Sequence, residues 1–125
     1  MENRLIGTAR LLNVCSIAVA RMKSNQTTRL ESHEYGLVVD DIRDPGNLGT
    51  IIRIADWYGI HHIIASEQSA DFYNPKVISS SMGSFCRVKI FYTSLTAYLS
   101  KRKTTCYGTF LEGQNVHQVN FEPAG

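Results

Sequence analysis

The sequence predicts an α/β fold, a parallel sheet whose strands are joined by crossover helices. Three observations predict it. Short apolar runs alternate with segments of helical periodicity in the order strand, helix, strand, helix, strand, helix, strand, the pattern of successive βαβ units. The runs are short and bounded by turn residues or acids, which suits buried strands. The chain has 125 residues, 43% hydrophobic and 19% charged, which is one domain of ordinary globular composition.

Taken in order, residues 14–20 (VCSIAVA) are a candidate strand, and residues 23–34 are polar and read as a loop. Gly36 to Asp40 (GLVVD) is an apolar run ending in acids. A Pro/Gly turn, DIRDPGNLG, follows, and a helix is expected from about Asn47. Its apolar residues Leu48, Ile51, Ile52 and Ala55 fall at i, i+3, i+4 and i+7, one face of an amphipathic helix, and Gly59 is placed to end it. His62 to Ala65 is the second of the alternating strands. Asn74 can cap a helix that has Pro75 at its first position and runs to Gly83. Val88 to Tyr92 is the next strand. Ser94 then caps a helix over LTAYLSKRK, whose terminal cations suit the negative end of the helix dipole. Thr105 to Phe110 is predicted as a further strand, and the remainder is rich in turn residues. This divides the chain into a short segment, 1–35, and a domain, 36–125. A doubly wound sheet usually has about five or six strands, so the sequence reads as the front part of a longer domain.

Composition excludes several classes. No apolar run approaches the ~20 residues that cross a bilayer, and Ile17 to Ala20 is too short for a signal-peptide core. The three cysteines show no C-x-x-C spacing, so they read as reduced thiols of a cytoplasmic protein, with Cys86 and Cys106 as small buried hydrophobes. His33, His61, His62 and His117 lack metal-ligand spacing, and no metal is expected. Net charge is +2, unevenly distributed: residues 1–29 carry +4, 30–75 carry −6, 76–103 carry +6 and 104–125 carry −2. Two basic blocks around an acidic one can contact a polyanion, or can simply be solvated surface.

The stretch with most chemistry is DDIRDPGNLGTIIRIADWYGI, residues 40–60. Ligands of open α/β sheets bind at the carboxyl edge of the strands, where this turn lies. Gly46 and Gly49 allow close backbone approach, and a helix N-terminus offers amide donors to an anion. Arg53 lies off the apolar face, over the small residues Gly49 and Thr50, and can point at a phosphate or ribose. The alternative is an exposed Arg53 paired with Asp56 at i+3. The turn is neither a Walker A sequence nor G-x-G-x-x-G, so by spacing alone an ordinary strand-to-helix turn explains it equally well.

D-P-G-N-L-G-T-I-I-R-I-A-D-W-Y-G, Asp44 to Gly59, resembles the first motif of the SpoU (TrmH-like) family of RNA methyltransferases, of the SPOUT superfamily. N-P-K-V-I-S-S-S-M-G-S-F-C-R-V, Asn74 to Val88, resembles the second motif, and G-T-F-L-E-G, Gly108 to Gly113, the strand and loop after it. The resemblance implies a Rossmann-like front part of a trefoil-knotted sheet. It implies transfer of a methyl group from S-adenosylmethionine to a ribose 2′-hydroxyl of rRNA or tRNA. It also implies a homodimer, RNA as partner and no membrane. By the same resemblance Asn47 and Arg53 are the catalytic residues, and Gly46, Gly49, Ser81 and Gly83 belong to the active-site region. Gly108, Thr109 and Leu111 would border the cofactor. The family's third motif, which ties the knot and makes most of the cofactor pocket, would follow residue 122. The 125 residues alone are therefore expected neither to hold the cofactor tightly nor to turn over. Two other readings stand beside this one: a non-enzymatic RNA-binding remnant of the family, and an unrelated phosphate- or nucleotide-binding α/β module.

Overall fold

The computed structural model describes residues 20–125, so the candidate strand over 14–20 lies outside the described residues except for Ala20. Strands β1 (Gly36–Val39), β2 (His62–Ala65) and β3 (Lys89–Tyr92) form a parallel sheet in the order β1-β2-β3. The register pairs Leu37 with Ile63 and Ile63 with Ile90. Helices α1 (Pro45–Trp57) and α2 (Pro75–Ser80) supply the two crossovers, and α3 (Leu95–Leu99) follows β3. In the central strand Ile63, Ile64 and Ala65 are all buried, though successive side chains point to opposite faces. Cover on both faces is what a parallel sheet requires, and it is why Ile63, Ile64 and Ala65 are apolar in succession rather than alternating with polar residues.

Helix α1 carries the core. Leu48, Ile52 and Ala55 are buried against Val39, Ile63, Ala65, Phe72, Val77 and Val88. Burying a Leu or Ile side chain fully contributes about 1.5–3 kcal/mol, so these residues fix the helix on the sheet. The helix starts at Pro45, two residues before the position expected from periodicity. Asp44 is its cap and Pro45, which has no N–H to satisfy, fills the first position. It ends at Trp57, and Gly59 just beyond, with φ of +74°, allows the reversal; the Gly59 amide donates to the Asp56 carbonyl and the Ile60 amide to that of Ala55.

Several expectations fail beyond this centre. Helix α2 stops at Ser80, well short of Gly83, because Met82 and Gly83 both take left-handed backbone conformations before a 3-10 turn at Ser84–Cys86. Helix α3 is five residues long, which leaves Lys101, Arg102 and Lys103 beyond its end. Thr105 to Phe110 is exposed coil, and among the described residues the sheet has three strands. A strand needs a ladder partner, and among the described residues this run has none. At the β3 edge the Asn25 side chain donates to the Tyr92 carbonyl (2.9 Å) and accepts from the Tyr92 amide (3.0 Å). At the other edge the Gly36 amide donates to the Gly125 carbonyl at 2.7 Å. Cys86 and Cys106 are both exposed, so neither is the buried hydrophobe that its apolar surroundings suggested.

Candidate functional site

The turn at residues 40–44 leaves the carboxyl end of β1 and feeds α1. Asp44 accepts a hydrogen bond from the Asn47 amide at 2.8 Å, satisfying one of the helix's free N–H groups. That bond, aided by Lys76, holds the Asp44 carboxyl below its ordinary pKa. Lys76 Nζ lies 3.5 Å from Asp44 Oδ2, which ties the first turn of α2 to the cap of α1. Asn74 in turn caps α2, accepting from the Lys76 amide at 2.9 Å. Both helices thus begin at the same edge of the sheet.

Asn47 is exposed on the first turn of α1, and Arg53 is exposed six residues on. At ~1.5 Å rise per residue they stand about 9 Å apart along the axis. Asp56 is not available to Arg53. Its carboxylate accepts from Arg87 Nε at 3.0 Å and from the Ser84 hydroxyl at 2.7 Å, and these bonds lower its pKa. Arg53 therefore makes no hydrogen bond or ion pair among the described residues, and its planar fork of donors is open for bidentate contact with a phosphate.

The remaining expected residues are placed differently from one another. Gly49 is a packing residue: a Cβ there would lie 2.7 Å from the Val77 carbonyl oxygen, so its missing side chain lets α1 and α2 approach. Gly46 sits under the Asp44 and Lys76 side chains. Ser81 is fully buried and its hydroxyl donates to the Ile78 carbonyl at 2.8 Å. Gly83, with φ of +91°, faces open space and makes the turn after α2. Gly108, Thr109 and Leu111 lie on the exposed stretch that forms no strand. Among the six cations of residues 76–103, Lys76 and Arg87 are paired, and Arg102 lies over the Tyr98 ring and donates to the Thr28 carbonyl. Lys89, Lys101 and Lys103 are exposed.

Sequence reasoning missed two groups here, the Asp56–Ser84–Arg87 cluster and a pair of buried serines, Ser66 and Ser69. Each joins residues distant in the chain, and no periodicity announces such contacts. Among the described residues no cluster of three or more His, Cys, Asp or Glu can hold a metal ion, and no helix is long and apolar enough to cross a membrane.

A sheet of this topology with both motif-bearing helices starting at one edge occurs in a known group. The profile of the SpoU rRNA methylase family matches residues 34–124. The chain belongs to the SpoU rRNA methylase family. This SpoU chain is 34% identical over 85 residues to RlmP of Bacillus subtilis, a 23S rRNA guanosine 2′-O-methyltransferase; the match covers 66% of this chain and 34% of that protein. Among solved structures, it is similar to a TrmH-family protein of Porphyromonas gingivalis, with a TM-score of 0.75 and 34% identity over 85% of this chain and 43% of that one. It is also similar to the SpoU methyltransferase AviRb of Streptomyces viridochromogenes, with a TM-score of 0.60 and 31% identity over 67% of this chain and 34% of that one; AviRb has been solved in complex with AdoMet. The SpoU chain thus spans about a third of the length of RlmP.

Proposed function

We propose that this chain provides the front part of a SpoU-type methyltransferase domain, which moves a methyl group from S-adenosylmethionine to a ribose 2′-hydroxyl. The observation that carries the reading is the open guanidinium of Arg53 on the first-motif helix, left without an acid because Arg87 and Ser84 occupy Asp56. Family membership supports the reaction class, and RlmP, a 23S rRNA enzyme by name, supports rRNA as the substrate class.

The chemistry fits these residues. A 2′-hydroxyl is a weak nucleophile, and S-adenosylmethionine supplies an activated methyl group with a good leaving group. The protein's task is then to align the hydroxyl and favour loss of its proton. Arginine is no ordinary base, since its pKa lies above ~12. Arg53 instead holds the phosphate next to the target ribose through paired N–H donors, and Asn47 orients the ribose by hydrogen bonding. Gly46 and Gly49 keep the first turn slim, while Ser81 and Gly83 shape the turn after α2. Gly108, Thr109 and Leu111 border the cofactor in this reading. Exposed as they stand, they do not by themselves enclose it. We place the domain at residues 36–125, with residues 20–35 lying against it, and its work in the cytoplasm. A homodimer accords with the exposed apolar side chains Ile54, Trp57 and Tyr58 on and just after α1.

The test is single-turnover transfer of labelled methyl from S-adenosylmethionine to a 23S rRNA fragment, in a chain carrying a family third motif after residue 122. Arg53→Ala should lower the rate ~10²–10³-fold, the usual effect of removing one preorganised donor, with cofactor affinity nearly unchanged. Arg53→Lys should restore little, because a point charge does not reproduce the bidentate fork. Transfer at the parental rate in Arg53→Ala would overturn the assignment.

A further inference from the structure

The loop that launches α1 is held from the side by two buried hydroxyls. After β1 the chain turns at Asp41, whose φ of +52° lies in the left-handed region that non-glycine residues seldom occupy. Such a conformation persists when surrounding contacts over-determine it. Here the Asp41 amide donates to Ser66 Oγ at 2.7 Å, and the Ile42 amide donates to Ser69 Oγ at 3.2 Å. The two hydroxyl oxygens lie 3.1 Å apart and bond to each other. Both serines are buried, at 4% and 8% of full exposure. A third bond runs from the Ala70 amide to the Ile42 carbonyl at 2.8 Å, and the Tyr92 hydroxyl donates to the Ala70 carbonyl at 2.5 Å. The loop after β2 thus grips the loop after β1, and β3 braces it.

We propose that Ser66 and Ser69 are positioning residues, which set the Asp41–Asp44 turn and through it the cap at Asp44 and the placement of Asn47. This rests on the RNA-methylating role assigned above. Of the Asp41–Asp44 turn only Ile42 touches the core, and it is half-buried there; the side chains of Asp41, Arg43 and Asp44 are exposed. The serines add to that one contact the acceptors for two of the turn's amides. Replacing either by alanine leaves one loop amide without its acceptor, while the sheet and the α1 core contacts are untouched.

The test uses the 125-residue chain with Ser66→Ala, Ser69→Ala and the hydroxyl-retaining Ser66→Thr. Amide hydrogen exchange followed by NMR should quicken about tenfold at Asp41 in Ser66→Ala and at Ile42 in Ser69→Ala, the order expected for one lost hydrogen bond. The Ile63 and Ile64 amides should keep parental rates, the Asn47 amide resonance should shift, and Ser66→Thr should restore both readouts. Unchanged exchange at Asp41 and Ile42, equal acceleration throughout the sheet, or an unmoved Asn47 resonance would each overturn the proposal. In the chain carrying a third motif after residue 122, Ser66→Ala should lower kcat severalfold with little change in the KM for S-adenosylmethionine, and Ser66→Thr should recover it. A parental kcat would overturn the link to catalysis. If that chain without the serine substitutions transfers no methyl, the functional reading fails, while the exchange and resonance measurements still decide the role of the serines.

Discussion

Replacing Gly49 by alanine sets two physical effects against each other in one measurement. On helix propensity alone the change should stabilise α1 by about 1 kcal/mol. The surroundings oppose it. The new Cβ would lie 2.0 Å from Ser80 Oγ, 2.9 Å from Ser80 Cβ and 2.7 Å from the Val77 carbonyl oxygen. The Ser80 hydroxyl can rotate away, but the Val77 oxygen belongs to the backbone of α2 and is about 0.7 Å closer than ordinary van der Waals contact allows. Relief requires α2 to move away from α1 and to loosen Val77, which is fully buried in the core. Overpacking of this kind costs about 1–3 kcal/mol, and more when backbone must shift. We expect a net loss of about 1–2 kcal/mol, which for a domain of this size lowers Tm by roughly 5–15 °C. The assay is thermal unfolding followed by circular dichroism, with Gly49→Ala/Ser80→Ala alongside. The double variant removes the hydroxyl contact and should recover only part of the loss. A Tm equal to or above the parent's in Gly49→Ala would refute the reasoning, as would full recovery in the double variant.

Three further predictions follow from the charges. Burial holds the His62 imidazole below its ordinary pKa despite Glu34 nearby, so the unfolded chain takes up a proton first. Stability should fall as pH drops below about 6.5, and His62→Leu should flatten that slope in melts between pH 8 and 5.5. The Asp56 carboxyl is held below its ordinary value by Arg87 and Ser84. Its contribution is present above about pH 3.9 and lost as pH falls through the lower folded value, so Asp56→Asn should lower Tm at pH 7 more than at pH 3. RNA affinity measured against salt should lose roughly 0.7 of slope for each phosphate contact removed on a single strand. Lys89→Ala, Lys101→Ala and Lys103→Ala should each reduce the slope, whereas Arg87→Ala should lower Tm with little change in slope.

The periodicity of Leu48, Ile52 and Ala55, the stop at Gly59 and the cap at Asn74 were all legible, because a helix's bonds and its buried face are set by residues close in sequence. The strands GLVV, HIIA and KIFY were legible for the same reason. The first-motif residues were also legible as a string, since Asn47 and Arg53 belong to one short segment. What stayed hidden depends on residues brought together only by folding. Nothing local to Asp56 says that Arg87, rather than Arg53, will take its carboxylate. Nothing around Ser66 and Ser69 says that they will receive the amides of a loop about 25 residues upstream. Gly49 reads as a ligand cradle until α2 is seen lying across it.

Thr105 to Phe110 shows the same division. Its composition is that of a strand, but composition supplies only the willingness to extend. A parallel strand exists when an open edge accepts its amides and carbonyls, and among the described residues no strand pairs with this run. The sequence by itself determined the α/β class, the order of the central elements and the family motif. The tertiary structure alone decided which cations are free, which glycine serves packing and which run of strand-forming residues finds a partner. Propensity and periodicity act through bonds between near neighbours, whereas pairing and burial depend on where distant segments meet.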